Sequence, residues 1–352
     1  MGLAVDGNET KMPVQELPVG WETSCWGCGL RVVLPKFAPM FKCGWCGAIT
    51  IEKSEMKPIS PWSRRCSKGR DRVFVCLVLC LTFSIVFGGV WATFPVLFPT
   101  ATVGFYVHSV ITIVLSFNTL FNYCMAAFRL AGPSPRTEYG KFDLVDKKTL
   151  EGYKFCVYCK IPKPPNAHHC RSCQCCVVDM DHHCPFIGNC VGANNHQHFL
   201  LFLLFASVSG LYVLTMSTYV GTIVWPQLLR FRRVNLPRVH AGVSFDVVLD
   251  VLAAMVVSLE PVASTRAFAL IYLFIASLSL VIGVGLLLYQ QVQLVYTGQT
   301  YLGTLTSGSG NHHLVKSWTN FRRLFGKQHP FFWLLPRVGL NYVPPSEKIH
   351  TT

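Results

Sequence analysis

Between Cys156 and Cys190 the chain places eight cysteines and four histidines within 35 residues. They run Cys156-x2-Cys159, His168-His169-Cys170, Cys173, Cys175-Cys176, Asp181-His182-His183-Cys184 and Cys190. Zinc takes four Cys or His ligands in a tetrahedron, and a Cys-x2-Cys turn presents two thiolates to one ion. Two such turns, Cys156/Cys159 and Cys170/Cys173, imply two ions, each needing two more ligands from downstream. Eight ligands drawn from twelve candidates leave thiols and imidazoles over. In Asp181-His182-His183-Cys184 a carboxylate, imidazoles and a thiol adjoin one another. A neighbouring imidazole stabilises a nucleophilic thiolate, and a carboxylate beside the imidazole fixes its tautomer and raises its basicity. Asp181, His182 and Cys184 could serve as orienter, base and nucleophile, although spacing alone does not separate His182 from His183. The competing reading is structural zinc throughout.

A second group, Cys25-Trp26-Gly27-Cys28 and Cys43-Gly44-Trp45-Cys46, forms two Cys-x2-Cys knuckles separated by fourteen residues. The arrangement is zinc-ribbon-like and predicts a third, structural zinc held by Cys25, Cys28, Cys43 and Cys46. A redox-active dithiol has the same spacing, but no thioredoxin-like βαβ pattern accompanies it. The module is expected to bind a partner or the chain's own catalytic segment. The first 70 residues lack the apolar core of a secretory signal peptide, so the thiols are expected to face a reducing compartment. No internal repeat is expected beyond the duplicated cysteine pairs.

These groups have to be carried by a membrane scaffold. Of 352 residues 51% are apolar and 14% charged, and 31 Lys+Arg against 17 Asp+Glu give a net charge of +14. That balance is too apolar for a soluble enzyme. Roughly 20 apolar residues cross a bilayer, and 73–128, 199–229 and 267–315 each exceed this without one Asp, Glu, Lys or Arg. Phe94-Pro95 and Phe98-Pro99-Thr100 divide the first stretch into helices near 73–97 and 102–128. The expected fold is an all-α polytopic membrane protein with four transmembrane helices, a cytosolic cysteine-rich two-zinc loop and an N-terminal zinc-ribbon-like module. Its segments are a tail (1–22), the ribbon (23–52), a basic juxtamembrane linker (53–72), helices one and two (73–128), the cysteine-rich catalytic domain (129–198), helix three (199–226), a lumenal or extracellular loop (227–267), helix four (268–296) and a C-terminal tail (297–352). A fifth span over 241–259 would bury Asp246 and Asp250 at about 2.5 to 3.5 kcal/mol each near the bilayer centre. A short surface helix is expected there instead.

Lys and Arg accumulate on the cytoplasmic side: residues 1–72 hold eleven, 129–198 nine and 297–352 six. Both termini and the cysteine-rich loop are therefore expected in the cytosol, with Arg230, Arg232, Arg233 and Arg238 running against the trend. The run from Arg64 to Arg72 suits anionic lipid at the membrane surface. Nucleic acid is not an expected partner, because the positive charge is membrane-proximal and spread over three segments. Cys66 is a candidate acylation target, Cys76, Cys80 and Cys124 are expected as apolar fillers, and His108 as a hydrogen-bonded structural residue.

Asp181-His182-His183-Cys184-Pro185 followed by Asn189-Cys190-Val191-Gly192, Asn195 and Phe199 resembles the signature of the DHHC protein S-acyltransferases. Cys156-x2-Cys159, Lys163-Pro164 and His168-His169-Cys170-x2-Cys173-x2-Cys176 fit the same cysteine-rich domain. The resemblance implies one zinc on Cys156, Cys159, His169 and Cys176 and another on Cys170, Cys173, His183 and Cys190. It makes Cys184 the acyl acceptor, His182 its base and Asp181 the orienter, and gives Cys175 no role. The implied reaction moves a fatty acyl group from acyl-CoA, palmitoyl-CoA above all, to Cys184 and then to membrane-proximal cysteines of protein substrates. The implied setting is a multi-pass protein of the endomembranes (Golgi or endoplasmic reticulum) or the plasma membrane.

The chain departs from that family at three places. Phe186 replaces a Trp, Ala131-Gly132-Pro133 replaces Asp-Pro-Gly, and Thr300-Tyr301-Leu302-Gly303 lacks the Glu of Thr-Thr-x-Glu. Trp318 to Gly326 resembles the family's C-terminal Asn-aromatic segment, a weak but supporting match. This segment also reads as a basic interfacial helix. A catalytically inactive, membrane-anchored zinc scaffold is the alternative from another class, and it has no need of Asp181, His182 and Cys184. A membrane-bound RING-type ubiquitin ligase fits paired zinc sites but not the shorter ligand spacing. For the topology, a glycosylation acceptor introduced at 240 should be modified and one introduced at 150 should not; the reverse pattern would overturn the cytosolic assignment.

Overall fold

A computed structural model describes residues 21–34, 38, 40–51, 60–132, 148, 150–235, 261–306 and 317–336. The 241–259 segment, most of the two tails, residues 52–59 and residues 133–147 lie outside these. The chain divides into two compact units, one drawn from 1–58 and 135–165 and the other from 59–134 and 166–352.

The first unit is built from short strands. Strands β1 (Trp21–Ser24) and β2 (Arg31–Leu34) form an antiparallel hairpin around the first knuckle. Strand β3 (Met40–Lys42) pairs antiparallel with β4 (Ile49–Ile51) around the second. Strand β4 then pairs in parallel with β5 (Lys154–Cys156), which turns back antiparallel into β6 (Ile161–Lys163), so four strands make one sheet in the order β3-β4-β5-β6.

Among the described residues, the second unit contains four helices long and apolar enough to cross a membrane: α1 (Pro61–Leu97), α2 (Val103–Phe128), α3 (His196–Asn235) and α4 (Pro261–Thr297). Helix α1 begins well before residue 73, because Ser60 caps it, its hydroxyl accepting from the Ser63 N–H at 3.2 Å, and Pro61 supplies a helical φ at the first position. It ends where Pro95 and the Phe98-Pro99 turn interrupt the apolar stretch. Helix α3 packs along α4 and α2. At Gly210 a Cβ would lie 2.6 Å from Leu280 and 3.0 Å from Val281, so the missing side chain allows α3 and α4 to approach closely. His108 meets the Tyr212 hydroxyl through Nδ1 at 3.0 Å, the structural role expected for it.

The expectation of a purely α fold is corrected by the cysteine-rich segments, which are hairpins. Strands β7 (His168–Cys170) and β8 (Cys175–Val177) form one, and β9 (His182–Cys184) and β10 (Asn189–Val191) another. A Cys-x2-Cys turn reverses the chain at once, so the residues flanking it pair antiparallel. The reversal closes in the same way at four knuckles, where Gly29, Gly47, Lys160 and Gln174 donate their N–H to the carbonyl of the cysteine four residues earlier, at 2.7 to 3.1 Å. All four have positive φ, between 54° and 80°. Glycine adopts that backbone without cost, whereas Lys160 and Gln174 are held in it by the turn.

The hairpins also disclose a repeat. Residues 154–167, 168–181 and 182–195 are three tandem fourteen-residue units whose strands begin at Lys154, His168 and His182 and at Ile161, Cys175 and Asn189. Their cross-strand registers coincide, with Cys156 opposite Ile161, Cys170 opposite Cys175 and Cys184 opposite Asn189. Positive φ recurs at Lys160, Gln174 and Gly188.

The last hairpin is tied to the membrane helices. Asn189 Nδ2 donates to the Ala126 and Arg129 carbonyls at 3.2 and 2.7 Å, and Asn195 Nδ2 donates to Ala126 and Cys190 at 2.9 and 2.8 Å. The Asn195 carbonyl oxygen accepts from Gly192 at 2.9 Å. These amides satisfy carbonyls that the end of α2 leaves without a helical partner. Asn195→Ala should destabilise the detergent-solubilised protein by about 1–3 kcal/mol, because buried partners lose their bonds. An unchanged melting temperature would contradict this tether.

Candidate active site

The start of the last hairpin places Asp181, His182 and Cys184 together. Asp181 is fully buried. Its Oδ2 accepts from His182 Nδ1 at 2.7 Å and from Gln291 Nε2 at 3.0 Å, and its Oδ1 accepts from the Tyr301 N–H at 2.6 Å. Its backbone is fixed as well, donating to Val191 at 2.9 Å and accepting from Leu302 at 3.1 Å. Gln291, on α4, accepts in turn from His196 Nε2 at 3.1 Å. Burial opposes ionisation of Asp181, but the His182 hydrogen bond, the neighbouring imidazoles and the Tyr301 amide hold its carboxyl below the usual carboxylate range.

With Nδ1 committed to Asp181, the remaining ring nitrogen of His182 is Nε2, and the Cys184 thiol two residues on is an electrostatic neighbour of the ring. Burial disfavours the charged ring, yet the Asp181 bond and the Cys184 contact outweigh it and lift the His182 pKa to about 9. The rings of Phe199 and Tyr301 stand edge-on to His182, with centroids at 5.4 and 6.5 Å, and fix its plane. Geometry therefore separates the two histidines that spacing leaves equivalent.

Cys184 is 6% exposed and packs with Ile187, Tyr123 and Phe199. It lines a cavity of about 490 Å³ that continues between the four helices, past Val78 and Leu203 to Tyr212. Apolar side chains dominate the lining, and the size falls within the range of small-molecule sites, about 300–1,000 Å³. Phe186 also lines it, its ring edge-on to Phe74 at 5.0 Å and its carbonyl accepting from Tyr123 Oη at 3.0 Å.

His183 points the other way. Its Nδ1 lies 3.6, 3.4 and 3.6 Å from the sulfurs of Cys170, Cys173 and Cys190, a CCHC set with the donors and closeness that one zinc ion takes. Its Nε2 meets Asp71 Oδ2 at 3.0 Å. Asp71 is buried in the N-terminal part of α1 and is paired with Arg70 at 2.9 Å. A carboxylate behind a metal-binding imidazole fixes its tautomer and orientation.

In the first unit Cys25, Cys28, Cys43 and Cys46 form a second four-donor cluster. Cys156 and Cys159 share the β5–β6 turn there, the Cys159 N–H donating to the Cys156 sulfur at 3.4 Å. His169 and Cys176 face each other on the β7–β8 hairpin of the second unit, Nδ1 to Sγ at 3.9 Å.

Several functional residues escape a reading of motifs. Asp71 is concealed in a basic run, and Gln291 and His196 become relevant only once α3 and α4 are packed. The polar run Gln290-Gln291-Val292-Gln293 near the end of an apolar helix is the one available signal. The departures at 131–132 and 300–303 are met by the backbone. Gly132 O accepts from Val178 at 2.8 Å, Ala131 O from Asn194 at 3.2 Å, and Tyr301 offers its amide to Asp181. Asp71→Asn should weaken retention of one zinc ion by about 10- to 100-fold in chelator competition. Unaltered retention would mean that Asp71 does not support the His183 cluster.

Residues 149–307 match the family model of the DHHC palmitoyltransferases. Palmitoyltransferase ZDHHC16A of Danio rerio is 27% identical over 274 residues, which are 72% of this chain and 67% of that protein. Palmitoyltransferase ZDHHC3 of Homo sapiens is 32% identical over 154 residues, 42% of this chain and 50% of its own length. Palmitoyltransferase pfa3 of Emericella nidulans is 45% identical over 74 residues, 21% of this chain and 14% of its own length. The chain thus spans about two thirds of the first and half or less of the other two. The matched region takes in all three fourteen-residue units and runs on through α3 and α4 to the Tyr301 segment, so residues 149–307 carry a DHHC palmitoyltransferase domain.

Proposed function

We propose that the chain is a protein S-acyltransferase that loads a fatty acyl group from acyl-CoA onto Cys184 and passes it to cysteines of membrane-associated proteins. The observation that carries this reading is the Asp181–His182–Cys184 relay at the mouth of an apolar cavity between membrane helices. His182 Nε2 takes the Cys184 proton, and the resulting thiolate attacks the acyl-CoA carbonyl. The bond from that carbonyl to the CoA sulfur breaks, and the CoA thiolate recovers a proton from His182. A substrate thiol then gives its proton to His182 and attacks the Cys184 thioester, releasing Cys184 as the thiolate. Both steps exchange one thioester for another, so the enzyme has no steep uphill step to drive. Asp181 keeps His182 in the tautomer whose Nε2 is the base, and stabilises the imidazolium formed in each step.

The cavity suits the chain of the acyl group. Each methylene withdrawn from water gains about 0.8 kcal/mol, and palmitoyl-CoA is the proposed donor. Two zinc ions complete the loop. The second and third repeats together supply Cys170, Cys173, His183 and Cys190. The same rule, a knuckle from one repeat with the His and Cys of the next, assigns Cys156, Cys159, His169 and Cys176 to the other ion. Zinc in these sites would cross-link hairpins and hold the relay in place. The cysteine-rich segment and both termini face the cytosol, where acyl-CoA and membrane-proximal substrate cysteines arrive.

Wild type, Cys184→Ala and His182→Ala, each incubated with a labelled palmitoyl-CoA analogue and then with hydroxylamine, test this function. Label on the wild type should be removed by hydroxylamine and should be absent from Cys184→Ala. Loading of His182→Ala should be slower by about 10²- to 10⁴-fold, the usual contribution of a general base. Equal labelling of all three with zinc retained would favour the inactive scaffold.

A further inference from the structure

The family match begins at residue 149 and leaves the module at 21–51 without an assigned role. Its four thiols close on one point, with Cys25 and Cys46 sulfurs 3.6 Å apart and those of Cys28 and Cys43 3.7 Å apart. Cys25, Cys43 and Cys46 are buried, and the Gly27 N–H donates to the Cys25 sulfur at 3.4 Å. Four thiolates in this geometry are a structural zinc site with no open position.

What surrounds that site is the segment leading to Cys156. Leu150 is buried against Cys25, Cys43, Cys46 and Ala48. The carbonyls of Trp45 and Cys46, inside the second knuckle, accept from the Lys148 and Leu150 amides at 2.9 Å each. Just beyond the knuckle, the Ile49 N–H donates to Tyr153 O at 2.8 Å, and Ile49 is the register partner of Lys154. Trp26 donates its indole N–H to Ile49 O at 3.0 Å and packs its ring on Phe155 at 5.6 Å. Lys42 is paired with Glu151. Two glycines are required by this contact: a Cβ on Gly27 would lie 2.7 Å from Leu150, and one on Gly47 would lie 2.8 Å from the Glu151 Cα.

The β5–β6 hairpin thus receives a third strand, β4, from a module shaped by its own four cysteines. A two-stranded hairpin of three residues a side is marginal in water, and added strands stabilise it. We infer that the N-terminal cysteine cluster is a zinc-dependent clamp that holds the hairpin bearing Cys156 and Cys159, so that zinc in the module and order at that ligand pair rise and fall together. The surface that a zinc ribbon would offer to another protein is, on its β4 edge, already filled by residues 148–156. The inference rests on the proposed function only in taking Cys156 and Cys159 as zinc ligands.

Full-length protein carrying Cys46→Ser, and separately Leu150→Ala, tests the clamp by hydrogen exchange and metal analysis. Cys46→Ser should raise amide exchange over residues 154–163 by tenfold or more, and should lower zinc from about three ions per chain to about one, the ion on Cys170, Cys173, His183 and Cys190 remaining. Leu150→Ala keeps every proposed ligand and should speed chelator removal of two ions while leaving the third unaffected. Loss of a single ion from Cys46→Ser with unchanged exchange over 154–163 would overturn the inference, as would loss of all three ions. So would Leu150→Ala releasing zinc at the wild-type rate. The exchange readout depends neither on acyl transfer nor on whether Cys156 binds metal. Increased exchange with Cys184 unable to accept an acyl group would sustain the clamp and reject the proposed activity.

Discussion

A carboxylate without solvent contact is tolerable only when donors surround it, and Asp181 meets that condition by drawing on three parts of the chain. Its immediate neighbour His182 supplies one bond, a glutamine of the fourth membrane helix supplies the second, and the amide that follows that helix supplies the third. Removing any one leaves a buried charge short of a partner. The helices, the hairpin and the segment after α4 are therefore held in one arrangement by the same requirement that orients the His182 ring.

The opposite face of the hairpin is organised on the same principle. His183, one residue after His182, turns towards three thiols and is supported from behind by Asp71. Adjacent residues on a strand point to opposite sides, so one dipeptide serves two centres, each backed by its own carboxylate. Asn189 and Asn195 then join this strand pair to the end of α2. The cavity beside Cys184 follows from that attachment, because its walls are the helices to which the hairpin is tied.

Much of this was legible in the sequence. The apolar stretches marked the four helices, since length and absence of charge are sufficient for that judgement. The cysteine spacing indicated zinc, and the DHHC run indicated a thiol with a base. Three things were not legible. The strands are too short for an alternating pattern to register, and they form because knuckle turns force neighbouring residues together. The fourteen-residue period is obscured by substitutions such as Pro162 and Ile187 at positions where other repeats carry cysteine. The supports Asp71, Gln291 and the Tyr301 amide depend on tertiary packing, and a backbone amide has no sequence signature. For the same reason the backbone contacts of Ala131, Gly132 and Tyr301, at the places where the family pattern has carboxylates, have no counterpart in the sequence.

The threefold period bears on how Cys184 came to stand apart from the clustered cysteines beside it. Cys184 occupies the place that Cys156 and Cys170 hold in their own repeats, and Ile187 occupies the place of Cys159 and Cys173. In the proposed zinc sites each knuckle takes its remaining donors from the unit that follows, and after residue 195 the chain passes directly into α3. The knuckle cysteine of the last unit, Cys184, thereby has neither a chelating companion nor a following unit. A tandem array that ends one step early leaves that sulfur outside the four-donor clusters, mounted on a hairpin turn and lining the cavity between the helices.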